Sequence, residues 1–226
     1  MIAVAIRAHG WATTPPVVAP ELLDRIATDL ASCTSDDRGG LRNPFEVSAG
    51  VHELARCAPV RAVAESVLGA ECFVARGIFF DKTPSANWKV VWHQDLTIAV
   101  REQRNVPGFG PWSVKEGVVH VQPPADVLER MLAVRVHLDD CMAENGPVRV
   151  LPGSHTVGKL TASEVDEWRA RSPVVDCLVA RGGILAFRPL LLHASSPAIR
   201  PGHRRVVHLE FAVGDLPDGL DWRMRL

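Results

Sequence analysis

After its first third the chain breaks into many short β-type segments, and this narrows the possible folds more than any other feature. CFVARGIFF (72–80), VVWHQDLTIAV (90–100), LAVRVHLDD (132–140), VRVLP (148–152), CLVARGGILAF (177–187), LLLHASS (190–196) and RRVVHLEFAV (204–213) all read as strands. Gly-, Pro- and Asn-containing turns such as ENGP (144–147) and RPGH (200–203) punctuate them. Two helices are expected before them. PELLDRIATDLAS, from Pro20, places Leu22, Leu23, Ile26 and Leu30 at helical spacing, and PVRAVAESVLG, from Pro59, ends at the cap-forming Gly69. Shorter helices are expected near 125 (ADVLERM) and near 162 (ASEVDEWRARS). Helices followed by short strands without βα alternation predict a mainly β fold, a sandwich or barrel with flanking helices. The stretch 101–124, with VPGFGPW and QPP, reads as a long irregular excursion. Excursions of that length are usually functional or disordered, and Phe109 and Trp112 favour an ordered lid.

At 226 residues the chain suits one domain spanning 1–226, with helices at about 20–70 packed on the strands. Its 25 basic and 26 acidic residues nearly balance and form no basic stripe, so neither nucleic acid nor an anionic membrane is an expected partner. Cys33, Cys57, Cys72, Cys141 and Cys177 are odd in number and form no CxxC pair, which points to free thiols in a reducing compartment. With no basic region before the apolar start and no run of membrane-span length, a soluble cytoplasmic protein is expected, monomer or homodimer.

In NWKVVWHQDLTIAV (87–100), His93 and Asp95 lie two apart in an apparent strand, so both can reach one metal ion from the same wall. Two histidines and a carboxylate on one face of an octahedron is the non-heme Fe(II) arrangement, with the second histidine supplied by another strand. H-x-D alone is weak: roughly 0.6 occurrences are expected by chance here. His137-Leu138-Asp139 is a second example and His208-Leu209-Glu210 a glutamate version, so spacing alone leaves 93/95 and 137/139 as equal candidates. His193 ends the apolar run of LLLHASS, and Arg204 follows eleven residues later, with Arg205 as the competing register. Facing sheets stand about 10 Å apart. An arginine on the far wall could therefore clamp the distal carboxylate of a metal-chelating keto diacid.

These residues, together with ENGPVRVLPGSH (144–155) and RPLLLHASSPAIRPGHRRVVHLEFA (188–212), resemble the phytanoyl-CoA dioxygenase family of Fe(II)/2-oxoglutarate oxygenases. The similarity runs from about Trp11 to about Val213. The resemblance implies a double-stranded β-helix, the jelly-roll or cupin-like barrel. It makes His93, Asp95 and His193 the iron ligands and Arg204 the residue that holds the far carboxylate of 2-oxoglutarate. Ser195 and Trp112 would line the cosubstrate pocket, and His137 and Asp139 become an inner-wall pair or a structural pair. The cofactors implied are Fe(II), 2-oxoglutarate and O2, with succinate and CO2 as coproducts. Because Asp95 is present where halogenating relatives lack the carboxylate, hydroxylation of a small molecule is expected.

Substrate contacts are less defined. Lys89, Val91 and Thr97 share the strand phase of His93, His208 and Glu210 that of Arg204, and Arg135 and His137 line another strand. Lys89, Thr97, Arg135 and His137 are the candidate pocket residues, with a hydrogen-bonded network that only rigidifies the barrel as the equal alternative. Trp88, Trp92 and Phe109 could meet an apolar substrate or belong to the core. Gln94, between the two ligands, has no role on this reading. Two rival functions use the same fold: a cupin-like metal-dependent dioxygenase or isomerase without 2-oxoglutarate, and a non-catalytic ligand-binding barrel.

Overall fold

The computed structural model describes residues 1–31 and 39–226. The chain opens with α1 (Ile2–His9), β1 (Trp11–Thr13), α2 (Pro20–Ala31), β2 (Gly40–Arg42), α3 (Ala49–Arg56) and α4 (Ala58–Leu68). Then come β3 (Phe73–Lys82), β4 (Val90–His93), β5 (Ile98–Val100), β6 (Trp112–Lys115), β7 (Val118–Val121), α5 (Ala125–Glu129) and β8 (Met131–His137). The last part holds β9 (Val148–Val150), α6 (Ala162–Arg171), β10 (Val175–Cys177), β11 (Ile184–Phe187), β12 (His193–Ser195) and β13 (Arg204–Ala212).

Two antiparallel sheets make the sandwich. The larger has the order β1-β11-β8-β13-β3-β2 and the smaller β10-β9-β12-β4. The arrangement is of the jelly-roll type, mainly β with flanking helices, although the two sheets stay separate and do not close into a barrel. Between them pack Ala133, Leu185 and Phe187 from the large sheet and Val148, Val150 and Cys177 from the small one.

The large sheet is buried on both faces, which is why β8 shows no exposed residue along its length. Its outer face carries Leu132, Val134, Val136, Val207 and Leu209, packed with Ile26, Leu54, Val60 and Val63 from the helices. Each such side chain contributes roughly 1.5–3 kcal/mol when fully buried. The Ser48 hydroxyl starts α3 by accepting from Val51 N, and Gly10 ends α1 in the left-handed conformation (φ 86°).

The structure corrects several boundaries. VVWHQDLTIAV is two strands, not one: β4 stops at His93 and β5 begins at Ile98 in a third sheet, β5-β7-β6. The excursion 101–124 is partly regular, since Trp112–Lys115 and Val118–Val121 form a hairpin whose turn holds Glu116 and Gly117 at positive φ. CLVARGGILAF divides at Gly182 (φ 81°) and Gly183, where an added Cβ on Gly183 would lie 2.9 Å from two backbone carbonyls. α1 and α3 went unforeseen; α1 buries only Ile6. Among the described residues Cys57, Cys72, Cys141 and Cys177 are free thiols, and Cys33 lies outside them. No described helix is long and apolar enough to cross a membrane.

Candidate metal centre

β12 lies beside β4 with His193 directly opposite His93, and their rings are 4.2 Å apart between centroids. Asp95 follows in the turn after β4, fixed where its N–H donates to Pro189 O at 2.8 Å. The carboxylate thus comes from a turn, not from the strand face expected from an i, i+2 spacing. His93 Nδ1 is 2.8 Å from Val91 O, and His193 Nδ1 is 2.9 Å from Leu191 O. A carbonyl only accepts, so each Nδ1 carries the proton and each Nε2 presents a lone pair. Both lone pairs turn to Asp95: His93 Nε2 is 3.7 Å from Oδ1 and His193 Nε2 is 3.6 Å from Oδ2. These distances exceed normal hydrogen bonds. The three donor atoms lie within 4.8 Å of one another, spaced for a common ion. Tautomers set by backbone carbonyls are what metal-ligating histidines commonly show.

The electrostatics agree with this. Burial pushes His193 down to about 4 against the pull of Asp95, so it is neutral near pH 7. Burial would raise Asp95, but His193 and His93 outweigh it and hold the carboxyl well below the usual range. For His93 burial acts downward, while the nearby Asp95 carboxylate prevails and raises it. An ionised carboxylate with a neutral buried imidazole is the state that metal ligation requires. Fe(II) fits this N2O donor set.

The triad opens into a cavity of about 180 Å³ between the sheets, also lined by Arg76, Arg135, Arg204, His208, Glu210 and Ser195. Arg204 is 4% exposed, donates to Gly146 O through one guanidinium nitrogen and leaves Nε buried without a partner. Arg205 points the other way and makes a two-pronged pair with Asp139, at 2.9 and 2.7 Å. Asp139 is thus engaged with Arg205 and does not line this cavity, and Arg204 is the arginine that does. Its neighbour His137 is buried, and neither ring nitrogen has a partner among the described residues.

Other candidates fall elsewhere. The pairing of His193 with His93 and of Ser195 with Val90 contains a bulge. The bulge shifts the side-chain phase, so Val90 turns into the cavity while Lys89 and Val91 are exposed. Lys89 instead lines an outer groove beside α6. Thr97 meets the site only through its carbonyl, 3.4 Å from an Arg76 nitrogen. Trp112 pairs with Val121 and packs with Phe109 on a second core cluster, away from the cavity wall, because its segment forms a hairpin beside β5. Gln94 is buried: its amide donates to Gly158 O (2.8 Å) and Leu190 O (2.7 Å) and accepts from Leu160 N (2.8 Å).

Sequence reading missed Lys82 and Arg76. Lys82 is 1% exposed, pairs across the sheet with Arg204, and donates to Ser195 Oγ (3.1 Å) and Ser196 O (2.6 Å). Burial and Arg204 push it down to about 8. Arg76 makes a buried ion pair with Glu210, and His208 Nε2 stands 3.4 Å from the same carboxylate. A usable signal existed: Arg76, Ile78, Phe80 and Lys82 alternate along β3, but the expected strand stopped at residue 80.

The family described as phytanoyl-CoA dioxygenase (PhyH) matches residues 6–206. Among solved structures the chain is similar to AviO1 from Streptomyces viridochromogenes Tue57, at 22% identity and TM-score 0.69 over 96% of this chain and 95% of that one. It is similar to the non-heme alpha-ketoglutarate-dependent carbocyclase SnoK from nogalamycin biosynthesis, at 15% identity and TM-score 0.71 over 96% and 87%. It is also similar to HygX from Streptomyces hygroscopicus with nickel, 2-oxoglutarate and hygromycin B bound, at 15% identity and TM-score 0.67 over 93% and 86%. Likeness at these identities speaks for the fold alone. No curated protein matches the sequence.

Proposed function

Since the chain belongs to the phytanoyl-CoA dioxygenase family, whose members use Fe(II), 2-oxoglutarate and O2, we propose that it hydroxylates a small molecule. The observation that carries this reading is one cavity holding both the His93–Asp95–His193 set and a buried Arg204 with no ion pair to a carboxylate among the described residues. When bound, iron would let O2 act as the oxidant for attack on a C–H bond, with 2-oxoglutarate giving up two electrons as it becomes succinate and CO2. The protein does the rest. Leu191 and Val91 carbonyls hold the two imidazoles in ligating tautomers. Arg204, with Ser195 beside it, would take the distal carboxylate of the diacid. Asp95 occupies the third protein position, and this favours hydroxylation over halide transfer.

A wider cleft of about 620 Å³ shares Ile78, Phe80 and Trp88 with the metal cavity, and we read it as the substrate's approach. Glu116, in the turn between β6 and β7, lines this cleft and stands 3.6 Å from Arg42. The 101–124 segment would therefore cover the substrate from one side, acting as the lid of a single oxygenase domain. Small polar natural products are the class that suits such a mouth; hygromycin B in HygX is an example from a similar fold.

Anaerobic loading with Fe(II) followed by 2-oxoglutarate tests the assignment. A visible charge-transfer band should form in the wild type and be lost in His93→Ala with the fold retained. An iron-loaded protein that forms no band sinks the 2-oxoglutarate reading. In Arg204→Ala the band should need at least tenfold more 2-oxoglutarate.

A further inference from the structure

Arg135 is a buried cation without an anion. It sits mid-strand in β8, 8% exposed, and its guanidinium lines the metal cavity. Among the described residues no carboxylate pairs with it. Glu210 on the neighbouring strand is taken by Arg76, and Asp139 by Arg205. Among the described residues it makes a long 3.4 Å contact with His208 Nδ1, and its Nε is buried with no partner there. The Phe80 ring, 5.2 Å from the guanidinium carbon, offsets part of the cost. An uncompensated buried charge is otherwise strongly unfavourable.

Arg204 in the same cavity has the same defect, with its own Nε unpartnered. Beyond the Arg76–Glu210 pair, the cavity wall therefore carries two guanidiniums against the single carboxylate of Asp95. Both the repulsion of Arg204 and the attraction of Asp95 act on Arg135, so it lies within electrostatic reach of each end of the cavity. One carboxylate at Arg204 would leave Arg135 unanswered. A dianion has a second one to give.

We propose that Arg135 is a second carboxylate-binding guanidinium for the dicarboxylate cosubstrate, so that two arginines hold 2-oxoglutarate. The proposal rests on the 2-oxoglutarate assignment above. Guanidinium–carboxylate pairs are directional and can be two-pronged, which suits Arg135 to this task better than a point charge.

The test measures binding of 2-oxoglutarate and of oxalate to anaerobic Fe(II)-loaded protein by calorimetry, alongside thermal melting. Wild type binding 2-oxoglutarate is the control; if it does not bind, the function assignment fails and not this inference. Arg135→Met should bind 2-oxoglutarate at least tenfold more weakly. Without cosubstrate it should melt no lower than wild type, because a buried unpaired charge has been removed. Loss of oxalate binding as well places Arg135 on the metal-side carboxylate, and retained oxalate binding places it on the distal one. Arg135→Gln should show the same loss if the methionine variant is insoluble. Wild-type affinity for 2-oxoglutarate in either soluble variant overturns the proposal. So does weakened binding accompanied by a clearly lower melting temperature, which would mark Arg135 as a structural residue.

Discussion

Lys82 shows what one residue can do to such a site. Its ammonium is enclosed, sits beside Arg204 and over the Trp88 ring at 5.6 Å, and is held by Ser195 and Ser196. Burial and the neighbouring arginine lower it to about 8 from an ordinary 10.5. The sign follows directly. A base lowered by folding disfavours the folded state wherever it is protonated in both states, so its penalty is full below about pH 8. The penalty shrinks through the interval and is gone above about 10.5. Lys82→Met should therefore gain most over wild type near pH 7.5, and the gap between their melting temperatures should close toward pH 10. A gap that does not change with pH would refute the assignment. Spacing leaves 93/95 and 137/139 equal; the family resemblance singles out His93, Asp95, His193 and Arg204, and the structure gathers these four around one cavity. Lys82 is missed because the expected strand stops at residue 80, two residues short of it.

At the scale of elements, the decisive detail is how β4 ends. A strand read as continuous from 90 to 100 would keep one phase and place Lys89 beside His93. The bulge opposite His193 and Ser195 breaks that phase, and the chain leaves the sheet at residue 94. Gln94 is what holds the exit. Its side chain satisfies the Gly158 and Leu190 carbonyls and the Leu160 N–H, tying the segment before α6 and the approach to β12 to the turn that carries Asp95. Bulges and side-chain clamps leave no period in a sequence, so alternation could propose paired residues but not their orientation. Gln94→Ala strands three backbone groups in a mostly buried place, and removing the partner of a buried polar group costs about 1–3 kcal/mol each at the upper end. An overall loss of about 3 kcal/mol is expected in urea unfolding, with weaker Fe(II) affinity because the turn presenting Asp95 loosens. A loss under about 0.5 kcal/mol would show that water replaces the clamp.

The whole molecule divides its labour across the large sheet. One face, packed by α1 to α4, is apolar throughout and supplies stability; the other carries Arg76, Arg135, Arg204, His208 and Glu210 toward the small sheet. Seven short strands with turn residues between them were enough to indicate a two-layer β fold with helices outside it. The strand order was not legible, because pairing between distant segments depends on both partners at once. This division makes a separable prediction. Leu54 in α3 is fully buried on the helical side. Leu54→Ala should cost about 2–5 kcal/mol, as large-to-small core changes do. The folded fraction of that variant should still bind Fe(II) and 2-oxoglutarate with affinities within about twofold of wild type, because the cavity lies across the sheet from the lost methyl groups. If affinity falls in step with stability, the two faces are mechanically coupled. The helices would then have to be counted as part of the site.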